Sequence, residues 1–375
     1  MYMKKIFIAA AALFLSAGVF AQQTSFPFYE FTIVKNNPVT AVKNQAATGT
    51  CWCFATTSFL ESEAVRKKAA DTSLDLSEMF TVRQEYIRRG ADYYYRRGKG
   101  RQGPGGISHQ ATYWLDKAGL MTEEAYHGIN YNSETHNHRA LQKEFDDLMD
   151  QAVKEKKGVP YEKMNEILDK YLGKVPETFT YNGKEYTPMS FKEALKLDGS
   201  DYVEITSFTH HPYYEKFIIE IPDNWDMASS YNVPLDELDE ICTRALDNGY
   251  TVAWDADMSE IYFAHNNHLA VFCPDENIRG AKAIEKRYVE KPIDADIRQA
   301  MWNDFTTSDD HLMHITGYAK DQEGVKYYIV KNSWGPNNGD GYLYVSESYF
   351  KAKTIQIMIH KDALSKAMKK KLHIR

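Results

Sequence analysis

Residues 44–55 read NQAATGTCWCFA, and the interpretation of the whole chain starts from this stretch. Cys51 follows a loop that contains Gly49 and opens a helix-like run that extends to about Lys68. In that run apolar residues recur every three to four positions, which is typical of a buried amphipathic helix. Because free backbone N–H groups and the helix dipole favour an anion at a helix start, the placement predicts a reactive thiolate at Cys51.

Length and composition predict a globular protein with a separate leader. The 375-residue chain is 43% hydrophobic and 13% aromatic, enough for a sizeable core in one or two lobes. Lys4 and Lys5 precede an apolar run, residues 6–20, that is short for a membrane span and ends beside Ala21. This pattern predicts a signal peptide at residues 1–21 and export of residues 22–375, periplasmic or secreted, without a stable membrane anchor. An uncleaved anchor is the alternative.

Charge and histidine spacing exclude several classes of function. The net charge of −7 at pH 7 becomes −9 when Lys4 and Lys5 leave with the signal, and such an acidic protein is not a general nucleic-acid binder.

Residues 88–101 are basic and rich in tyrosine, a composition that can bind phosphates or bases. A solvated loop whose tyrosines pack on the lobe is the favoured interpretation. No histidine pair has the spacing of a structural zinc site, so neither a metal nor another cofactor is predicted.

The chain has four cysteines, too few for a disulfide scaffold, so a thiol can stay free for chemistry. Cys53 lies two residues along the helix from Cys51 and is predicted to face the core. Cys242 and Cys273 are interpreted as two buried thiols, and a disulfide between them is the alternative.

The C-terminal region predicts a β-rich lobe. Residues 311–318 and 325–331 alternate apolar residues as two paired strands, the turn Asn332-Ser333-Trp334-Gly335 follows, and residues 341–345 form a further strand. Between the two informative regions, residues from about 135 to 200 carry charged helical patterns and a hairpin signal at Asn182-Gly183.

These residues supply the parts of a nucleophilic site. A cysteine nucleophile needs a base, a group that orients the base, and donors for a developing oxyanion. Cys51 is the candidate nucleophile, Asn332 the orienting group, and Gln45 lies six residues before the nucleophile in the same loop. His311 and His314 compete as the base. Side chains three apart on a strand point to opposite faces, so one of them faces the cleft and the other does not.

Gln45–Ala55 and Asn332–Gly335 together resemble the papain-like cysteine peptidases, in which a Gln-x5-Cys-Trp segment opens a helix and an Asn-Ser-Trp-Gly turn follows the catalytic histidine. The resemblance implies an α+β fold of two lobes, with the nucleophile in a helical lobe and the histidine and asparagine in a β-rich lobe. It also implies that Gln45 and the Cys51 backbone N–H form the oxyanion hole. Trp334 would shield the His–Asn hydrogen bond from water.

The same resemblance selects His311 as the base. Gly317 and Tyr318 follow His311 at the family's spacing, and Asp310 precedes it as an aspartate does in papain. His314 is then predicted to pack on the far side of the strand.

Two departures from papain narrow the family. Thr48 occupies the position of a papain disulfide cysteine, and His311 follows Cys51 by 260 residues, whereas about 130 is usual. This combination resembles the bleomycin hydrolase and aminopeptidase C group, which lacks that disulfide and carries a helical insertion, here at about residues 135–200. Gly105 and Gly106 are similar to the glycine wall of that group's substrate cleft.

The resemblance implies a cysteine peptidase that acts on peptide or protein substrates with aminopeptidase-like specificity, and it implies homo-oligomeric, hexameric assembly. The alternatives are an endopeptidase or dipeptidyl peptidase of the same fold, a catalytically silent binding module, and acyl transfer to an amine. In that group a C-terminal arm lies in the cleft and admits only a free amino end. Here the corresponding segment is a short basic tail, residues 367–375.

Overall fold

The computed structural model describes residues 23–26, 28–272, 286–336 and 339–375. The predicted signal peptide and Cys273 lie outside these ranges. Cys51, Cys53 and Cys242 are free thiols. None of the described helices is long and apolar enough to cross a membrane.

Helix α1 (Cys51–Arg66) is the centre of a helical lobe, because its side chains are buried from Trp52 to Ala64. The core around it draws apolar residues from the helices on both sides of the lobe, including Met79, Leu115 and Leu168. The remaining helices are α2 (Glu78–Tyr95), α3 (Ser108–Lys117), α4 (Arg139–Glu155), α5 (Tyr161–Leu172), α6 (Pro188–Ala194), α7 (Leu235–Asp247), α8 (Ala295–Asn303), α9 (Glu347–Lys353) and α10 (Lys366–Lys371).

A twelve-stranded sheet forms the second lobe, and a separate hairpin belongs to the region between the two sequence motifs. The strands are β1 (Gln23–Phe26), β2 (Tyr29–Asn36), β3 (Phe179–Tyr181), β4 (Lys184–Tyr186), β5 (Tyr202–Thr206), β6 (Lys216–Ile218), β7 (Ser229–Asn232), β8 (Val252–Ala256), β9 (Phe263–Ala264), β10 (Leu269–Ala270), β11 (His311–Lys320), β12 (Lys326–Lys331), β13 (Tyr342–Ser346) and β14 (Thr354–His360). The sheet order is β6-β7-β5-β14-β8-β11-β12-β13-β10-β9, with β2 pairing both β1 and β11, and β3 with β4 forms the hairpin.

The central strands of the sheet separate two cores. Ala253 on β8 and Leu312 on β11 belong to the helical-lobe core, whereas their chain neighbours Trp254 and Met313 belong to the core behind the sheet. Successive side chains of a strand point to opposite faces, so this alternation shows which face of β8 and β11 meets the helical lobe. The sequence prediction of a helical lobe and a β-rich lobe is confirmed.

Helix α2 corrects the interpretation of the basic, tyrosine-rich segment as a solvated loop. The helix runs through Tyr95, and the side chain of Arg89 is only 7% exposed. Arg88 lies over the rings of Tyr113 and Trp225 at 4.1 and 4.7 Å, so its charge stacks on aromatic faces. Residues 88–95 are therefore helical, which composition does not reveal, whereas residues 96–101 are turns and irregular chain after the helix. Tyr93 and Tyr94 pack against the helical-lobe core, as predicted.

Candidate active site

Cys51 lies where the two lobes meet. It is the first residue of α1, which packs against β11. Its thiol is half-buried, and the backbone N–H groups of Leu312 and Trp52 act on it in the direction that lowers its pKa. Since Leu312 is the second residue of β11, the nucleophile candidate lies beside the start of the strand that carries both candidate histidines.

His311 is held by Asn332. The Nε2 atom of His311 lies 2.8 Å from Oδ1 of Asn332, which also accepts the backbone N–H of Ser333 at 2.7 Å. The second bond fixes the amide orientation, because a backbone N–H needs an oxygen acceptor. Nε2 therefore carries the proton in the His–Asn bond, and Nδ1 is the free base nitrogen of the neutral ring.

Trp334 covers this pair. Its ring stacks on His311 with centroids 4.9 Å apart and an interplanar angle of 26°. On its other side, His265 meets the Trp334 ring edge-on at 4.2 Å. The tryptophan thus lies where the sequence prediction needs it, and His265 is an additional neighbour that no sequence motif indicated.

The side-chain amide of Gln45 is held at both ends, at one by the Asn332 turn and at the other by its own loop. Its Oε1 accepts the hydroxyl of Ser333 at 2.6 Å, its Nε2 donates to the carbonyl of Thr48 at 3.1 Å, and its backbone N–H donates to the carbonyl of Ser333 at 2.8 Å. The loop before Cys51 and the turn after β12 are therefore joined. The Gln45 side chain is buried in this junction.

Gly105 and Gly106 are sites of close approach. A Cβ on Gly105 would lie 2.1 Å from Oδ2 of Asp223, and one on Gly106 would lie 2.1 Å from Oε1 of Gln110 and 3.1 Å from the Trp52 ring. A side chain at Gly105 would therefore displace the Asp223 carboxylate, and one at Gly106 would displace the Gln110 amide and press on the Trp52 ring. Arg89 donates to the carbonyls of residues 103 and 105 and holds this loop.

His314 faces away from His311, as predicted. Its Nδ1 lies 2.9 Å from the hydroxyl of Ser58 on α1, and its ring meets Phe59 edge-on at 6.3 Å. The Ser58 hydroxyl also accepts from Nζ of Lys331 at 2.7 Å, and burial lowers the pKa of that amine to about 8. This buried network lies directly behind Asn332, and no motif in the sequence predicted it.

The electrostatics differ from the prediction of a stable thiolate. Burial raises the pKa of the Cys51 thiol to about 12, and the negative charges of Asp255 and Asp309 raise it further, against the two backbone N–H donors. Burial lowers the pKa of His311 to about 4. Removal from water therefore favours the neutral form of each group, and at Cys51 it outweighs the field of the helix terminus.

Three aspartates near the thiol were missed by the motif analysis. Asp255 is an interior residue of β8, Asp309 lies two residues before His311, and Asp223 contacts Gly105. An acidic residue inside the otherwise apolar stretch Val252–Ala256 was the available signal. In the described part of the chain, the group with metal-ligand spacing is His210, His211 and Glu220, which is not linked to Cys51 by any contact described above.

Comparisons with known proteins agree with this geometry. Residues 130–374 match the Peptidase C1-like family, and residues 29–196 match the papain family of cysteine proteases. The chain is 23% identical to aminopeptidase G of Lactobacillus delbrueckii subsp. lactis, covering 88% of this chain and 83% of that protein. It is 24% identical to aminopeptidase E of Lactobacillus helveticus, covering 88% and 82%.

The crystal structure of PepW from Lactobacillus rhamnosis HN001 has the same fold, with a TM-score of 0.67 at 18% identity over 91% of this chain and 84% of that one. The chain belongs to the papain-like C1 family of cysteine peptidases. Within it, the relatives and the fold are those of the bleomycin hydrolase and aminopeptidase C group, and the protein is a cysteine-type peptidase.

Proposed function

We propose that this peptidase removes residues from the amino end of peptides, with Cys51 as nucleophile, His311 as base, Asn332 as orienting group and Gln45 in the oxyanion hole. The observation that carries the proposal is the 2.8 Å bond between His311 and Asn332, which Trp334 covers. His311 begins β11, and the helix that Cys51 begins packs against this strand.

The steps follow from these positions. Nδ1 of His311 takes the thiol proton as Cys51 attacks the peptide carbonyl, which creates the charged pair only when substrate is present. The Cys51 backbone N–H and the Gln45 amide donate to the oxyanion, the imidazolium protonates the leaving amine, and water then hydrolyses the thioester. Asn332 keeps the ring oriented throughout.

The preference for the amino end rests on two supports. Relatives that align over most of this chain are named aminopeptidases G and E. The carboxyl groups of Asp255 and Asp309 also act on Cys51, and the ionised member of the pair suits a substrate with a free amine. Gly105 and Gly106 are proposed to form the wall along which the substrate backbone lies.

Replacing the nucleophile tests the proposal. Cys51→Ala should lower the rate at which aminoacyl amides with an uncharged leaving group are hydrolysed by more than about 10⁴-fold, because no other group supplies the covalent step. It should also abolish labelling by a thiol-directed epoxide. Cys242→Ala, which truncates a buried thiol on α7, is the matched control and should keep both.

Mapping the cut sites in a peptide library then decides the specificity. Sequential cuts from the amino end support the proposal, and internal cuts would replace it with an endopeptidase. Turnover that persists in Cys51→Ala would contradict the whole assignment, and an inert wild-type thiol would indicate a silent binding module.

We further propose that residues 1–21 are a signal peptide and that the mature enzyme acts outside the cytoplasm. The support is the pattern of Lys4, Lys5 and the apolar run before Ala21. Mass spectrometry of the exported protein should find Gln22 at its amino end. A homo-hexamer, implied by the resemblance, stays a prediction that sedimentation of the purified protein tests.

A further inference from the structure

Asp255 is a buried carboxyl beside the nucleophile. It is 1% exposed and lies opposite Leu312 in the β8–β11 pair. Residues directly opposite in a sheet project to the same face, and Leu312 belongs to the helical-lobe core, so Asp255 points into the space between the lobes. The backbone N–H of that same Leu312 acts on the Cys51 thiol and lowers its pKa.

Neither oxygen of Asp255 accepts a hydrogen bond from a donor group within the described ranges. Its hydrogen-bonding neighbour is the carboxyl of Asp309, and two carboxyls can share a hydrogen bond only when one of them is protonated. Burial and then the charge of Asp223 raise the pKa of Asp309 to about 7, although the hydrogen bond with Asp255 acts in the opposite direction. A buried carboxyl without a donor group is costly, so a cationic donor that reached the pair would be stabilised there.

Asp223 adds a third carboxyl on the same side. Its Oδ2 lies against Gly105, and its charge acts on both Asp255 and Asp309. The facing cation is Arg101, which meets Oδ1 of Asp223 at 3.2 Å with a side chain that is 48% exposed. Because solvent screens this exposed pair, the positive charge of Arg101 offsets little of the negative field of the aspartates. Glu204, also nearby, already accepts the backbone N–H of His109 at 3.0 Å.

The chemistry of this cluster fits an organic cation better than a metal ion. The three aspartates do not form one of the groups with metal-ligand spacing among the described residues. A primary ammonium group carries one charge and three N–H donors, so it can bond several separated carboxyl oxygens at once. Asp223 and Asp309 are half-buried and accessible to a ligand, with Asp255 behind them.

We propose that Asp255, Asp309 and Asp223 form a subsite, next to Cys51, that binds a protonated primary amine of the peptide substrate. This inference rests on the proposed function, because it places the amine of a substrate that Cys51 attacks. The amine is the α-ammonium of the residue being removed, or the side-chain ammonium of a lysine that precedes the scissile residue. Either source supplies the same charge and donors.

Isosteric variants test the subsite. Asp255→Asn, Asp309→Asn and the double variant keep side-chain volume and remove one or both of the paired carboxyl groups. Each is assayed with an aminoacyl reporter amide, its N-acetylated form, and an N-acetyl-lysyl dipeptide reporter. We expect each single variant to lose about 10- to 100-fold in kcat/KM on the amine-bearing substrate, the size of one charge-assisted hydrogen bond, and to change little on the acetylated neutral substrate.

The substrate arms distinguish the two sources of the amine. If kcat/KM falls only on the substrate with a free α-amine, the subsite binds the α-ammonium. If it falls only on the lysyl substrate, the subsite binds the lysine side chain, and amino-end specificity is contradicted although the subsite remains. If both single variants and the double variant are as active as the wild type on every substrate, the subsite is overturned. Asp304→Asn, an exposed aspartate after α8, is the matched control and should behave as wild type.

Labelling of Cys51 by a neutral epoxide separates this inference from the proposed function. If the wild-type enzyme is neither labelled nor active, the proposed function fails; if labelling and hydrolysis persist with unchanged selectivity, only the subsite fails. Thermal unfolding checks that the variants fold. Should Asp255→Asn not fold, Asp309→Asn at the half-buried position carries the same test.

Discussion

At the scale of single residues, the site depends on hydrogen bonds that fix orientation rather than on a charge stored at the nucleophile. The thiol of Cys51 and the ring of His311 are both neutral at pH 7, since burial raises the pKa of the first to about 12 and lowers that of the second to about 4. Asn332 determines which nitrogen of the ring is basic. Reactivity must therefore arise when substrate completes the site.

Gln45 permits a sharp test of the oxyanion hole. Gln45→Glu keeps an oxygen for the Ser333 hydroxyl but replaces the N–H donor that now bonds the Thr48 carbonyl. We expect kcat to fall about 10²- to 10³-fold with KM little changed, because an oxyanion donor acts in the transition state. Steady-state kinetics measure this, with the exposed Gln151→Glu on α4 as control. A full-rate Gln45→Glu enzyme would remove Gln45 from the oxyanion hole.

At the scale of elements, the segment before α4 supports the nucleophile loop. The backbone N–H of Ala47 donates to the carbonyl of His136 at 3.1 Å, and that of His138 donates to the carbonyl of Ala47 at 3.2 Å. Both histidines are buried, and burial lowers the pKa of each to about 4. The beginning of the predicted insertion thus supports the loop that precedes Cys51.

These histidines predict acid sensitivity. The unfolded chain takes up a proton at each histidine near pH 6.5, whereas the fold resists protonation until about pH 4, so their stabilisation is complete above pH 6.5 and is lost as the pH falls. His138→Phe should reduce the slope of the free energy of unfolding against pH between pH 6.5 and 4, by up to about 1.4 kcal/mol per pH unit. Urea unfolding at a series of pH values measures it.

The neighbours of His138 make phenylalanine a suitable replacement. Both ring nitrogens lack a partner among the residues that the structure describes, and the ring lies 6.1 Å from that of Tyr86. His373→Phe, at an exposed position, is the control, and its free energy of unfolding should depend on pH between 6.5 and 4 as in the wild type. An unchanged slope in His138→Phe would mean that this ring is protonated in the fold.

At the scale of the whole molecule, the basic tail does not behave as the resemblance implied. Helix α10 packs Met368 and Leu372 into the core behind the sheet, and Lys371 pairs with Glu237 on α7 at 2.6 Å. The tail is thus engaged on the β-rich lobe.

Deleting residues 366–375 separates these roles. The loss of two buried apolar side chains should lower the free energy of unfolding by about 3 to 5 kcal/mol. The ratio of activity on free-amine and N-acetylated substrates, measured below the unfolding temperature, should stay as in the full chain. A truncated enzyme that begins to cut internally would instead show that the tail sets specificity. Lys370→Ala, on the exposed face of α10, is the control.

The sequence by itself predicted the two lobes, the strand that begins at His311 and the choice of His311 over His314. Strict alternation and two ordered motifs are local properties, so the chain order of the residues is enough to read them. The helical path of residues 88–95 was predicted wrongly, because stacking of Arg88 on Tyr113 and Trp225 joins residues far apart in the chain.

Only the tertiary structure decided the electrostatics. The motif at residues 44–55 indicates a thiolate, yet the pKa of Cys51 depends on burial between the lobes and on aspartates from β8 and from the segment before β11. Likewise, the sequence contains Asp223, Asp255 and Asp309 as three unrelated acidic residues. Folding brings their charges together beside Cys51, because desolvation and Coulomb interaction depend on distance in space and not on position in the chain.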